Sequence, residues 1–185
     1  MIEKTTLSDF YNNQLDLFLN PTEEKAMYIV YDSTEITYGS ANDCDIDWCK
    51  DSNIPAYDIQ RSGGCIVSAK GNITMADVRR NTADWYDKQL LCSFVDFLKL
   101  KGIEAEIKQN DILIDGFKVA SAASKNLKPD FLWQYTGMQI SINQDLEVIK
   151  HACKKEMKKE PRGLSEWGIT TSEVVNWLKH LYHRK

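Results

Sequence analysis

The chain has 185 residues, 43% of them hydrophobic, and a formal net charge of −4 from 23 basic and 27 acidic residues. This length and composition predict one folded domain over residues 1–185, with a sizeable core. The acidic balance argues against a protein that coats nucleic acid. The sequence has no basic leader followed by an apolar stretch and no run of roughly eighteen apolar residues, so it supports neither secretion nor membrane spanning.

Apolar residues at helical spacing predict helices at Asp9 to Leu19 and Trp85 to Leu100, and two closing helices are expected near Asp145 to Met157 and Thr171 to Tyr182. Strand-like runs lie between them, at Ala26 to Tyr31, Ile36 to Tyr38, Ala56 to Arg61, Cys65 to Ser68, Glu104 to Lys108, Ile112 to Ile114, Phe117 to Ala120 and Met138 to Ile142. The polar stretch Ala123 to Pro129 is the expected hinge. These elements predict an α/β (α+β) domain in which mixed or antiparallel sheets are flanked by helices.

A glycine turn lies in the segment Gln60 to Asn72. Gly63 and Gly64 adopt positive φ readily and carry no Cβ, so backbone N–H groups there can approach an anion closely. Arg61 adds a planar, permanent cation beside them. The same pair of glycines also suits a plain hairpin turn. The segment therefore predicts either an anion cradle or a simple turn.

A second segment begins at Asn110-Asp111 and contains a strand-like run that turns at Asp115-Gly116. The Asp-Gly pair predicts a hairpin, which places Lys118 on its second arm. A lysine on a rigid strand suits a catalytic cation. A solvated strand lysine is the alternative.

The order and pairing of these segments resemble the catalytic domain shared by lipoate-protein ligases, octanoyltransferases and biotin-protein ligases, and the nearest match is the lipoate-protein ligases. The resemblance covers nearly the whole chain, Leu7 to Tyr182, and implies a single catalytic-type domain without the accessory C-terminal domain of the longer lipoate ligases. It rests on the stretches Gln60 to Asn72, Asn110 to Ala123, Thr136 to Ile140 leading to Asp145-Leu146, Tyr38 to Asn42, and Leu164 to Glu173.

The resemblance implies an enzyme that condenses lipoate with ATP to an acyl-adenylate and passes the acyl group to a lysine of a lipoyl-type acceptor domain. It implies Lys118 as the catalytic cation. It implies substrate or nucleotide binding by Arg61, Ser62, Gly63, Gly64, Cys65, Asn72, Asn110, Asp111, Ala120 and Ser121. Asp111 is a candidate Mg²⁺ ligand, and a turn that holds no metal is the alternative.

Several positions depart from the family pattern: Gln60 replaces an arginine, Cys65 and Ser121 replace glycines, Ala69-Lys70 replace His-Asp, and Thr136 replaces a histidine. Trp133 falls near the nucleophilic cysteine of octanoyltransferases, so a thioester route through that position is closed. Two other functions stay open: a catalytically silent relative that binds a ligand or a protein, and an ATP-independent acyltransferase with Cys65 as nucleophile.

The five cysteines are odd in number and lack C-x-x-C spacing, so neither a disulfide framework nor a structural zinc site is indicated, and a reducing cytoplasm fits best. The basic run Lys154 to Arg162 is predicted to form a solvated helix face, because glutamates are interspersed with its lysines. A docking surface for an acidic acceptor domain is the alternative.

Overall fold

Ten strands form two sheets in a computed structural model, which describes residues 2–7, 9–11, 21, 23–58, 64–80, 88–127, 130–142, 146–155 and 158–183. The larger sheet has seven strands in the order β1-β2-β6-β10-β9-β8-β7. Its strands are β1 (Ile2–Lys4), β2 (Lys25–Val30), β6 (Ile73–Arg80), β7 (Glu106–Lys108), β8 (Asp111–Ile114), β9 (Phe117–Leu127) and β10 (Phe131–Met138). Only β1 and β2 pair in parallel within the described part of this sheet.

The smaller sheet has three strands in the order β4-β3-β5, formed by β4 (Ala56–Asp58), β3 (Glu35–Tyr38) and β5 (Cys65–Ser68). β3 pairs with β4 in parallel and with β5 in antiparallel fashion. The predicted fold class, mixed and antiparallel sheets flanked by helices, is confirmed.

Four α-helices flank the sheets in the described residues: α1 (Ile46–Asp51), α2 (Gln89–Leu100), α3 (Leu146–Ala152) and α4 (Thr171–His183). Short 3-10 helices cover Ala41–Asp43 and Leu164–Trp167. At the start of α4, Thr170 and Glu173 form a reciprocal capping box, in which each side chain accepts the other's backbone N–H at 3.3 and 2.9 Å. None of the described helices is both long and apolar enough to cross a membrane.

The main core lies between the large sheet and helices α2 and α4. Leu90, Leu91, Phe94 and Leu98 recur at three- and four-residue spacing along α2 and are all buried. A second apolar cluster joins the small sheet to α1 and α3. The site described below lies where these two halves meet.

The interior strand β6, between β2 and β10, was missed by the sequence prediction. Both of its faces are buried, so its residues do not alternate between apolar and polar. Two further expectations were wrong: the strand predicted at Met138 to Ile142 ends at Met138, and residues 123–127 of the predicted hinge are part of β9 and pair with β10. The rest of that stretch, and most of the helix predicted at Asp9 to Leu19, lie outside the described residues.

A buried polar group lies in the core under α4. Asp77 is fully buried on β6, accepts a hydrogen bond from Tyr182 Oη at 2.7 Å, and lies 3.4 Å from Arg79 Nε. The Arg79 guanidinium stacks 4.3 Å above the centre of the Tyr182 ring. Burial raises the pKa of Asp77 from 3.8 to about 7, although Tyr182 and Arg79 lower it in part.

This raised pKa predicts a pH-dependent stability. The folded state favours the protonated carboxyl, so its contribution is complete below pH 3.8 and is lost as pH rises towards about 7. The loss is at most about 4 kcal/mol of unfolding free energy. Urea unfolding between pH 4 and 8 should show this decline in the wild type, and Asp77→Asn should remove it. Asp51→Asn, at an exposed aspartate, is the control; an Asp77→Asn profile parallel to that of the wild type would contradict the assignment.

Candidate active site

The predicted hairpin is formed by β8 and β9. Asp115 and Gly116 both have positive φ, +52° and +82°, as a tight two-residue turn requires. Lys118 lies two residues beyond the turn on β9 and pairs with Leu113. The hairpin prediction is confirmed.

A β-bulge places Lys118 on the same face as Asp111. The register between β8 and β9 shifts between Ile112 and Leu113, so that β9 contains one additional residue. In a regular strand, Lys118 and Ser121 would point to opposite faces because they are three residues apart. The extra residue brings both onto the face of Asp111, which pairs with Ser121.

The segment after α3 completes this cluster. Lys118 N donates to Glu160 O at 2.9 Å and Arg162 N donates to Lys118 O at 3.0 Å, so residues 160–162 run beside β9 where β10 has ended. This pairing brings Lys159 Nζ to 2.8 Å from Asp111 Oδ2. Lys118 Nζ lies 3.0 Å from the other oxygen, Oδ1.

Asp111 therefore holds two ammonium groups in a partly buried site, where its side chain is 19% exposed. Burial raises the pKa of Asp111, but the hydrogen bonds and charges of Lys159 and Lys118 outweigh it and hold the pKa below 3.8. The carboxylate is thus ionised at neutral pH and positions both lysines.

The two lysines also affect whether Asp111 can act as the expected Mg²⁺ ligand. Both carboxylate oxygens already accept from lysines, and no group of three His, Cys, Asp or Glu side chains in the described residues could hold a metal ion. These residues do not fit a resident magnesium, and the role of Asp111 as a metal ligand stays a prediction that the geometry does not favour.

A cavity of about 350 Å³ opens over this cluster. Glycine-turn residues, the β8–β9 hairpin and the segment after α3 form its walls. Among its described lining residues Asp111 is the single acid, whereas four are lysines, Lys118, Lys155, Lys158 and Lys159. Because the chain as a whole has a net charge of −4, this concentration of cations is local and favours an anionic ligand.

Some of the predicted binding residues line this cavity in the structure, and others lie elsewhere. Gly64, Cys65 and Ser121 line it together with Lys118 and Asp111. Ala120 is fully buried in the core, and Asn110 is exposed outside the cavity lining, with its carbonyl accepting from Ala122 N at 2.8 Å. Arg61, Ser62 and Gly63 lie outside the described residues.

Asn72 supports the cavity from beneath. Its side chain is buried, and Oδ1 accepts from the backbone N–H groups of Ile140 and Ser141 at 2.7 and 3.0 Å. These bonds hold the turn that follows β10, next to Gln139, a residue of the cavity wall. In this structure Asn72 is a positioning residue.

Thr136 lies away from the cavity. It is buried on β10 on the same face as Leu132 and Met138, which belong to the core under α2 and α4. Its Oγ1 has no hydrogen-bond partner in the described part of the chain. Trp133, on the opposite face, packs with Val78 and Phe131.

The basic run was interpreted wrongly as a helix face. Helix α3 ends at Ala152, and the described residues of the run, 154–155 and 158–162, are not helical. Sequence reasoning thereby missed Lys155, Lys158 and Lys159 as cavity residues. The signal that could have found them is Pro161, which is incompatible with a helix continuing through this run.

Comparison with known proteins places these features in a family. Residues 12–184 match the family model of the lipoyl protein ligase A/B catalytic domain. No curated protein matches the chain in sequence.

Solved structures share the fold at low sequence identity. LipL1 of P. falciparum, in complex with lipoate, has a TM-score of 0.78 and 15% identity; the match covers 100% of this chain and 61% of that one. A lipoate-protein ligase A bound with ATP has a TM-score of 0.72 and 16% identity, covering 96% and 80%. The bipartite lipoate-protein ligase of Thermoplasma acidophilum, solved in a study that includes its E2 lipoyl domain, has a TM-score of 0.73 and 17% identity, covering 97% and 80%.

The structural role of Asn72 predicts a loss of stability in Asn72→Ala. One buried and one partly buried N–H group would lose their acceptor, which should cost about 2–4 kcal/mol of unfolding free energy. Asn110→Ala, at an exposed asparagine, should change it by less than about 0.5 kcal/mol. Urea unfolding of both variants measures the difference, and equal losses would show that Asn72 does not support the turn.

Proposed function

The chain belongs to the family of lipoyl protein ligase A/B catalytic domains, and on this basis we propose that it activates lipoate or a related carboxylic acid with ATP and transfers the acyl group to a lysine of a lipoyl-type acceptor domain. The observation that carries the proposal is the cavity lined by four lysines, two of which, Lys118 and Lys159, are held by the carboxylate of Asp111. The matched LipL1 structure is longer, since this chain spans 61% of its length.

The first step would place a carboxylate oxygen on the α-phosphorus of ATP, with pyrophosphate leaving. Both reactants are anions, and charge develops on the non-bridging phosphate oxygens. Lys118 is our candidate for neutralising that charge. Its Nζ is held 3.0 Å from Asp111 Oδ1, so the cation is in position before a ligand arrives. No general base is required, because the attacking carboxylate is already ionised.

In the second step, the lysine amine of the acceptor domain would attack the acyl carbon and AMP would leave. The exposed residues Lys154 and Lys158 give this side of the cavity a positive surface, whereas Lys155 between them pairs with Asp43 at 2.8 Å. Such a surface would speed the encounter with an acidic acceptor domain.

The alternative of an ATP-independent acyltransferase using Cys65 is disfavoured. A hydrogen bond with the Cys153 thiol, together with burial, raises the pKa of Cys65 well above its ordinary value. A thiol in this state is a poor nucleophile at neutral pH.

We expect Lys118→Ala to reduce acyl-adenylate formation by a hundredfold or more, roughly the cost of removing one preorganised charge-stabilising group. The assay is lipoate-dependent release of pyrophosphate from ATP, with the acyl-adenylate identified by mass spectrometry. Lys179→Ala, which changes an exposed lysine of α4, is the matched control and should keep the wild-type rate.

A wild-type rate in Lys118→Ala would remove this residue from the mechanism. If the unmodified protein binds ATP without releasing pyrophosphate, with or without a purified lipoyl domain, the chain is a binding relative and the ligase proposal fails.

Lys159 is expected to contribute to nucleotide affinity. Removing a charge-assisted contact to phosphate costs about 1.5–3 kcal/mol, so Lys159→Ala should weaken ATP binding by roughly 10- to 100-fold. Lys154→Ala is the control from the same run, because Lys154 is exposed and does not line the cavity. Calorimetric titration with ATP compares the two, and an equal affinity would show that Lys159 only pairs with Asp111.

A further inference from the structure

Four of the five cysteines come together in the fold from three separate segments of the sequence. Cys44, Cys49, Cys65 and Cys153 all belong to the apolar cluster around the small sheet. Cys44 Sγ and Cys49 Sγ are 3.8 Å apart, and the backbones of Cys44 and Cys153 pair as an isolated bridge. Cys92 lies elsewhere, on α2.

Two of these thiols reach the cavity. Cys65 and Cys153 are half-buried and line its wall, whereas Cys44 and Cys49 are buried. Cys153 Sγ lies 3.6 Å from Cys65 O, and Cys65 Sγ lies 3.7 Å from Ala152 O. These two contacts place the side chains of Cys65 and Cys153 next to each other.

The pair is chemically asymmetric. The hydrogen bond from the Cys65 thiol lowers the pKa of Cys153, although burial opposes this effect. The same hydrogen bond and burial raise the pKa of Cys65. Cys153 is therefore the better thiolate and the attacking group. Cys65 is placed to attack the mixed disulfide that then forms on Cys153.

We propose that Cys65 and Cys153 are a redox-active thiol pair at the rim of the cavity, which closes to a disulfide by exchange with a small-molecule disulfide. The Cys153 thiolate attacks one sulfur of the small disulfide, and one thiolate leaves. Cys65 then gives up its proton and its sulfur attacks Cys153 Sγ, releasing the second thiolate. The small disulfide is reduced to two thiols, which take up the two protein protons, and the two cysteines are oxidised to one disulfide.

The Cys65–Cys153 disulfide would affect ligand binding because it joins two walls of the cavity. Cys65 directly follows Gly64 of the glycine turn, and Cys153 begins the segment that carries Lys155, Lys158 and Lys159. The disulfide ties these two walls together, and a nucleotide that needs them to part then binds more weakly. This consequence rests on the proposed function, whereas formation of the disulfide does not.

The test uses the full chain, reduced and then exposed to oxidised glutathione. Before blocking, the intact mass should be lower than that of the reduced protein by two hydrogens. After the remaining thiols are blocked, peptide mapping without reductant should find a Cys65–Cys153 link. Cys65→Ser should instead trap glutathione on Cys153, and Cys153→Ser should leave Cys65 unmodified. Cys92→Ser is the matched control and should still form the link. A link between Cys44 and Cys153, or modification of Cys92 alone, would overturn the pairing.

The effect on the cavity is measured by titrating ATP into the reduced and the oxidised protein. We expect ATP to bind the oxidised form at least about tenfold more weakly, because the disulfide prevents the two walls from separating around the nucleotide, and dithiothreitol should reverse the change. Equal affinities with the link present would refute the effect on binding. If the reduced protein does not bind ATP, the proposed function fails, while the mapped disulfide still stands.

Discussion

The Asp111 carboxylate is the group on which the candidate site depends. It lies between two ammonium groups, Lys118 at 3.0 Å and Lys159 at 2.8 Å, which come from β9 and from the segment after α3. Partly buried ion pairs hold their geometry better than exposed ones, because fewer water molecules compete for the charges. One anion thus brings two cations to one cavity wall, and the surplus positive charge faces the cavity.

The scaffold around this carboxylate is rigid for reasons that involve no charge. Lys118 is bonded through its backbone to both Glu160 and Arg162, and it lies between β8 and the segment that replaces β10 at this end of the sheet. Gly163 then approaches the chain so closely that a Cβ would lie 2.6 Å from Ile140 O. Asn72 fixes the same turn from the other side. A cation held on such a framework loses little conformational entropy when it meets a phosphate.

The structure shows where two of the residues lie that depart from the pattern expected from the resemblance. Cys65, at a position where the resemblance predicts glycine, contacts Cys153 at the cavity rim, so this cysteine is one of a thiol pair rather than an isolated side chain. Ser121 lines the same cavity, and its partner on the neighbouring strand β10 is Gly137. The chemistry of the rim therefore differs from a plain glycine cradle, while the sheet that carries Lys118 is retained.

Local patterns in the sequence were sufficient for the elements whose signals are local. The Asp115-Gly116 turn, the apolar stripe of α2 and the strands on either side of Lys118 follow from turn chemistry and periodicity, and the motifs pointed to the family. The buried strand β6 could not be predicted from the sequence, because a strand buried on both faces shows no alternation of apolar and polar residues. The bulge that turns Lys118 towards Asp111, the approach of Lys159 and the meeting of Cys65 with Cys153 depend on long-range pairing. Only the folded chain decides these contacts, since no local pattern records which distant segments pack together.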